Sequence, residues 1–320
     1  MFDLLVNADF IVDDVADAAQ LLRDALGFPE QKPHWANLLP GLGFTYQFAR
    51  VHPSMAVSPT RVEAVALAEL SDERPDPGYP LPFLSEYLDA QAPTPFRTHG
   101  TELGTSRMAE NLARLDRNGV EYTIAERGER CLAWIGFTEA NAGKYRPTWD
   151  GGLLLEFVDT ELLLPRQDFW ALPPVAPLAP GSMVRVVSRG WLVPDLAETL
   201  SVLDVNFDWR PDTPVVLDDV AGALRVDLPF RHPRSASLQL LEPRRDGLLA
   251  EHVEQWGSCP WHIRIGVNDL DAKAKDLTSR GTDFDRLPLD EQSGDGLRVL
   301  PAATGLPAVF EFIEIDPTLG

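Results

Sequence analysis

The sequence predicts an α+β protein built from four βαβββ modules, paired into two domains with cupped mixed or antiparallel sheets. Three observations predict this. An opening of short alternating strand, aspartate and amphipathic helix begins each half of the chain. The same pattern returns a second time inside each half. A proline-rich stretch divides the two halves.

The first module, residues 1–72, opens on "NADFIVDDVADAAQLLRDALGF", with Asp14 between strand and helix, and runs to the strand "VEAVALAE" ending at Glu69. Proline-rich segments between Arg74 and Phe96 separate it from the second module, residues 95–162. There "HGTELGTSRMAENLARLDRNGV" leads to "GGLLLEFVD". Together they form an N-terminal domain, 1–165. The stretch 166–181, within "PRQDFWALPPVAPLAPG", reads as a linker. The C-terminal domain, 182–320, holds the third module (182–245), from "SRGWLVPDLAETLSVLDVNFDW" with Asp195 to "SLQLLE" ending at Glu242. The fourth (258–316) runs from "HIRIGVNDLDAKAKDLTSRG", where Asp269 caps a helix ending at Gly281, to "GLPAVFEFIE".

At 320 residues, two domains are the better expectation, and 44% apolar content supports packed cores. The net charge of −21 is spread along the chain, which argues against nucleic acid or an anionic membrane as partner. Cys131 and Cys259 form no CxxC pair and read as free thiols. No apolar run approaches the ~20 residues that span a bilayer, and the first residues lack the basic region of a signal peptide. A soluble cytoplasmic protein, monomer or homodimer, acting on a small molecule is the expectation.

Superposing the modules aligns candidate site residues. Asn7, His99, Ser188 and His262 share a first-strand slot; Asn7, Ser188 and His262 each stand seven residues before the helix-capping aspartate, and His99 needs a one-residue adjustment. Ala66, Glu156, Gln239 and Glu311 share a last-strand slot, three residues before an acid. Glu63 is set aside for this slot, because its odd separation from Ala66 turns it to the other face. A carboxylate mid-strand, as in "LLLEFV" and "AVFEFI", must protonate, find hydrogen-bond donors or find a cation. Pairing with an arginine, Arg264 or Arg97, meets that need; so does a metal ion shared with the upstream histidine.

In this fourfold order the chain resembles the vicinal oxygen chelate superfamily, the fold of glyoxalases, bleomycin-resistance proteins and extradiol dioxygenases. The resemblance covers essentially the whole chain. It implies a cup in each domain, where first- and last-strand residues hold a divalent metal (Zn, Mn, Ni, Co or Fe). The C-terminal cup presents Ser188, Gln239, His262 and Glu311; the N-terminal cup presents Asn7, Ala66, His99 and Glu156. The implied activity is metal-assisted enolate or proton-transfer chemistry of the isomerase or lyase type, on a small, partly apolar or aromatic oxygenated substrate. Glu311 or Glu156 would move the proton. Ser188 stands where a 2-His-1-carboxylate site needs a histidine, which disfavours the alternative of an extradiol-type dioxygenase. A metal-free binding protein for drug-like or aromatic molecules is the other alternative. His52 and His232, each in a His-Pro dipeptide, are further acid–base candidates, although such pairs commonly mark strand ends. Asp9 is expected to face the first cup or solvent. Tyr145, Arg146 and Trp149 are expected at a pocket mouth or in loop packing, and Cys131 in the core.

Overall fold

The computed structural model describes residues 1–30, 36–38, 44–67, 98, 100–127, 130–136, 147–163, 170–291 and 293–318. Its C-terminal half is one eight-stranded sheet. The strands of the third module are β10 (Met183–Leu192), β11 (Val216–Asp218), β12 (Ala223–Leu228) and β13 (Ser237–Pro243). Those of the fourth are β14 (Cys259–Val267), β15 (Asp285–Asp290), β16 (Gly294–Val299) and β17 (Val309–Glu314). Their spatial order is β11-β12-β13-β10-β14-β17-β16-β15. Each module places its last strand parallel to its first, and the two first strands meet antiparallel at the centre.

Alternation along these strands divides the sheet into two chemically different faces. Ile263, Ile265, Phe310, Phe312, Leu238 and Leu240 belong to the continuous hydrophobic core. On the opposite face stand Ser188, Arg225, Gln239, His262, Arg264, Arg298 and Glu311. Helix α3 (Leu196–Phe207) follows β10 and α5 (Leu270–Arg280) follows β14, capped by Asp195 and Asp269 as the sequence predicts. Between the modules lies α4 (Leu248–Trp256).

The N-terminal half repeats the same order with its central strand broken. β1 (Leu4–Leu5) and β2 (Asn7–Val12) are separated by Val6 alone. β2 carries β5 (Arg61–Leu67), β4 (Phe44–Ala49) and β3 (Ala36–Leu38); β1 carries β6 (Thr101–Thr105), β9 (Leu155–Asp159), β8 (Arg130–Ile135) and β7 (Tyr122–Arg127). Helices α1 (Val15–Leu26) and α2 (Met108–Asn118) follow their first strands, and α1 is capped by Asp14.

The two halves share one core. Phe10 packs edge-to-face on Phe310, and Phe2 on Trp209. The exposed carbonyls at the end of α1 are taken up by the other half: Lys273 Nζ donates to Leu26 O at 2.7 Å, Arg280 to Arg23 O at 2.9 Å and Thr282 to Ala25 O at 2.7 Å. No described helix is long and apolar enough to cross a membrane.

Candidate functional site

The polar face of the C-terminal sheet gathers Ser188, Gln239, His262 and Glu311, the four residues the slots predict, in one cup. Strand register explains why. Ser188 pairs across with Arg264, Arg264 with Glu311, and Gly190 with Gln239. The His262 ring lies over Gly190, where any added Cβ would sit 2.5 Å from the ring. A larger residue at 190 therefore displaces the imidazole.

Glu311 is answered by arginine. Arg264 donates through Nε and Nη2 to Oε2 at 3.0 and 2.7 Å; Arg298 donates through Nε and Nη2 to Oε1 at 3.0 and 2.8 Å. Arg264 also reaches Asp290 and Ser293, and Arg225 bridges Asp290 at 2.9 Å and Asp218 at 3.4 Å. Three guanidiniums thus face three carboxylates, Asp218, Asp290 and Glu311, and their charges cancel. The same chain of ion pairs ties β12 to β15 across the mouth of the cup, and the Glu291 N–H donates to Asp218 beside it. Two cavities, of about 290 and 600 Å³, share Arg225, Gln239 and Arg264 as wall.

Burial opposes ionisation of Glu311, but the imidazole and the two guanidiniums outweigh it and hold the carboxyl at about 2. Burial drives His262 down to about 3; Glu311 pulls upward, and Arg264, Arg298 and Arg189 push further down. The imidazole is therefore neutral.

Ser188 Oγ lies 3.4 Å from His262 Nε2, and Nδ1 lies 3.5 Å from Glu311 Oε2, the order of a nucleophile, base and acid. Protonating His262 at neutral pH costs about 5 kcal/mol, about 1.4 for each of some four pH units. The ring serves as a polar wall, not as a base for Ser188.

The same geometry tests the metal expectation. A cation at Glu311 would have to displace two bidentate guanidiniums and stand beside their charges. Gln239 turns its amide nitrogen to Asp227 at 3.1 Å. This donor set does not fit a divalent ion. Among the described residues no group of three or more His, Cys, Asp or Glu side chains is placed to hold a metal.

The N-terminal cup differs from its expected composition. Asn7 pairs with Arg61, and Asp9 with Glu63, so Glu63 occupies the position matching Gln239. Ala66 pairs with Val12 at the strand end and stays out of the cup. The alignment slipped because the acid after the slot has a separate task. Glu242 and Glu314 accept the first backbone N–H groups of α3 and α5, at Leu196 and Leu270, and the first module has Ala66 where that acid would stand. Glu156 pairs with Glu102 as Glu311 pairs with Arg264, which puts Gly100 at the position of His262. His99 lies outside the described residues.

Asn7 donates through its amide to Glu63 at 2.9 Å and Glu102 at 2.6 Å, while Arg61 donates to Asn7 Oδ1 at 2.9 Å. The Arg61 guanidinium also stacks on Phe48, 3.6 Å from the ring centre. Asp9 accepts from Thr98.

His52 and His232 are buried at strand-end turns. Each Nδ1 accepts the backbone N–H two residues on, from Ser54 at 3.0 Å and Arg234 at 3.2 Å. The two turns meet between the domains, where Arg234 donates to Ala56 O at 3.0 Å. Neither histidine lines the C-terminal cavities. Trp149 and Cys131 pack against the core. Tyr145, Arg146 and Arg97 lie outside the described residues. Sequence reasoning missed Arg298, Arg225, Asp290 and Asp218; the available signal was charge alternating with apolar residues along "ALRVDL" and "GLRVL".

Four modules in this order, with two cups on antiparallel central strands, define the vicinal oxygen chelate fold in its two-domain form. The chain's whole length is similar to a mutant of 4-hydroxymandelate synthase from Streptomyces coelicolor: 15% identity, TM-score 0.61, 99% of this chain and 93% of that one. Methylmalonyl-CoA epimerases from Streptomyces coelicolor (21% identity, TM-score 0.38) and Mycobacterium tuberculosis (20%, 0.38) match 43% and 45% of this chain and 99% and 95% of theirs. At such identities the likeness is one of fold. No family model matches the sequence, and neither does any curated protein.

Proposed function

We propose that this chain is a small-molecule-binding protein of the vicinal oxygen chelate fold whose C-terminal cup takes its ligand without a metal ion. The observation that carries the reading is Glu311 held by Arg264 and Arg298 where the resemblance implies a metal ligand. What remains beside that neutralised floor is a cavity of about 290 Å³ with walls that include Trp261, Leu241 and Leu249, of a size and mixed polarity suited to a small, partly apolar molecule. The test is binding of the fluorescent dye 8-anilinonaphthalene-1-sulfonate to protein treated with EDTA. Equal affinity before and after chelation, lost in Leu249→Trp, is expected; binding that disappears on chelation would overturn the reading.

Metal-assisted proton transfer of the isomerase or lyase type is the second reading, and it belongs to the N-terminal cup. It is favoured by Glu63 and Glu102 converging on Asn7, with Glu156 paired to Glu102. Carboxylate oxygens of this kind suit a hard cation such as Mn²⁺, which would have to displace the Asn7 amide that now donates to Glu63 and Glu102. Glu156 is the proton-moving group in this reading. Its test is loss of bound metal in Glu156→Ala.

A further inference from the structure

The floor of the 290 Å³ cavity has one guanidinium with a donor to spare. Arg264 commits Nε and Nη2 to Glu311 and Nη1 to Asp290 and Ser293. Arg298 commits only Nε and Nη2, and its Nη1 donates to no protein acceptor among the described residues. Its side chain is 22% exposed and borders the cavity. Glu311 and Asp290, the carboxylates of the cavity floor, are already matched by arginines, and Asp285, across from Arg298 on β15, is exposed, so an incoming anion meets a floor of zero net charge in a chain of net charge −21. An incoming cation finds no uncommitted carboxylate in that cluster.

The rest of the wall joins apolar side chains to Gln239, His262, Asp246 and the paired Asp219 and Arg245. Trp261, Leu241 and Leu249 line it, and Val220 and Leu248, both exposed, stand where the cavity opens. Leu248 begins α4, whose N-cap, Gly247, supplies no capping side chain. These features pair an anion donor at the base with apolar side chains along one side of the cavity.

We propose that the C-terminal cup selects a small amphiphilic anion, a carboxylate on an apolar tail, with Arg298 Nη1 as the anchor of its head group. The proposal rests on the metal-free binding reading above and names its ligand class. A carboxylate gains a charge-assisted hydrogen bond that a neutral head group of the same length forgoes, worth about tenfold or more in affinity.

The test is calorimetric titration with octanoate and octanol at pH 7. Wild type should bind octanoate about tenfold or more tighter than octanol. Arg298→Gln should abolish that preference, weakening octanoate by about tenfold or more relative to octanol. Arg298→Lys should keep the preference, and Leu249→Trp should abolish both ligands. If Arg298→Gln fails to fold, Arg298→Gln combined with Glu311→Gln removes both charges of the pair and gives the same readout. Equal binding of octanoate and octanol by wild type, or a preference that survives loss of the Arg298 charge, would overturn the anion assignment and leave the cup reading standing. Binding of neither ligand, or binding indifferent to Leu249→Trp, would overturn the cup reading itself.

Discussion

Glu311→Gln separates a carboxylate that neutralises arginines from one that holds a metal. The substitution keeps the size of the side chain and removes the charge that Arg264 and Arg298 share through four hydrogen bonds of 2.7 to 3.0 Å. Three guanidiniums then face only Asp218 and Asp290. Removing one partner of a buried ion pair costs about 3–5 kcal/mol. A chain of 320 residues unfolds with an entropy of about 0.7 kcal/mol/K, so the melting temperature should fall by roughly 4–7 °C. Differential scanning calorimetry at pH 7, with and without EDTA, reads this directly. The fall should be the same in both buffers, and wild type should be indifferent to the chelator. A Glu311→Gln variant as stable as wild type would refute the reasoning, as would EDTA lowering wild type to the variant's melting temperature.

Other outcomes follow from the same geometry. Gly190→Ala should displace the His262 ring, since the new methyl would lie 2.5 Å from it, and should destabilise the protein by about 1–3 kcal/mol in urea unfolding. Acid should destabilise the fold through His262: its folded pKa, about 3, lies below its ordinary 6.5, so the unfolded chain takes up the proton first. That contribution is complete above pH 6.5 and is lost as pH falls toward 3, about 5 kcal/mol in all, and His262→Gln should flatten this part of the stability–pH curve. Lys273→Met should cost about 1–3 kcal/mol by leaving the Leu26 carbonyl unpaired between the domains, measurable as a lower urea midpoint.

The fold was legible because each module repeats a local signal. Aspartate before an amphipathic helix marks Asp14, Asp195 and Asp269, and all three cap as expected. The second module breaks the rule: Arg107 stands at the helix start without a capping side chain, and the alignment of His99 was weakest there. In the C-terminal cup Ser188, Gln239, His262 and Glu311 were found together because their spacing to the capping residues is constant. The N-terminal cup was misread at Ala66 because spacing was counted to Glu69, whereas pairing with β2 sets the register and brings Glu63 inward. Arg264 was in view as a partner for Glu311. Arg298 and Asp290 were not, because the reach of Arg298 on β16 to Glu311 and of Asp290 on β15 to Arg264 depends on how a hairpin folds back, which no spacing along the chain encodes.

The central claim is that the C-terminal cup has arginines where the resemblance implies a metal. Metal content, measured by mass spectrometry on protein purified without chelator and again after reconstitution with Zn²⁺, Mn²⁺, Co²⁺, Ni²⁺ or Fe²⁺, tests it most directly when wild type is compared with Glu311→Ala. The account predicts the same metal content in both, with any bound ion lost in Glu156→Ala instead. About one equivalent of metal in wild type that disappears in Glu311→Ala and persists in Glu156→Ala would contradict it.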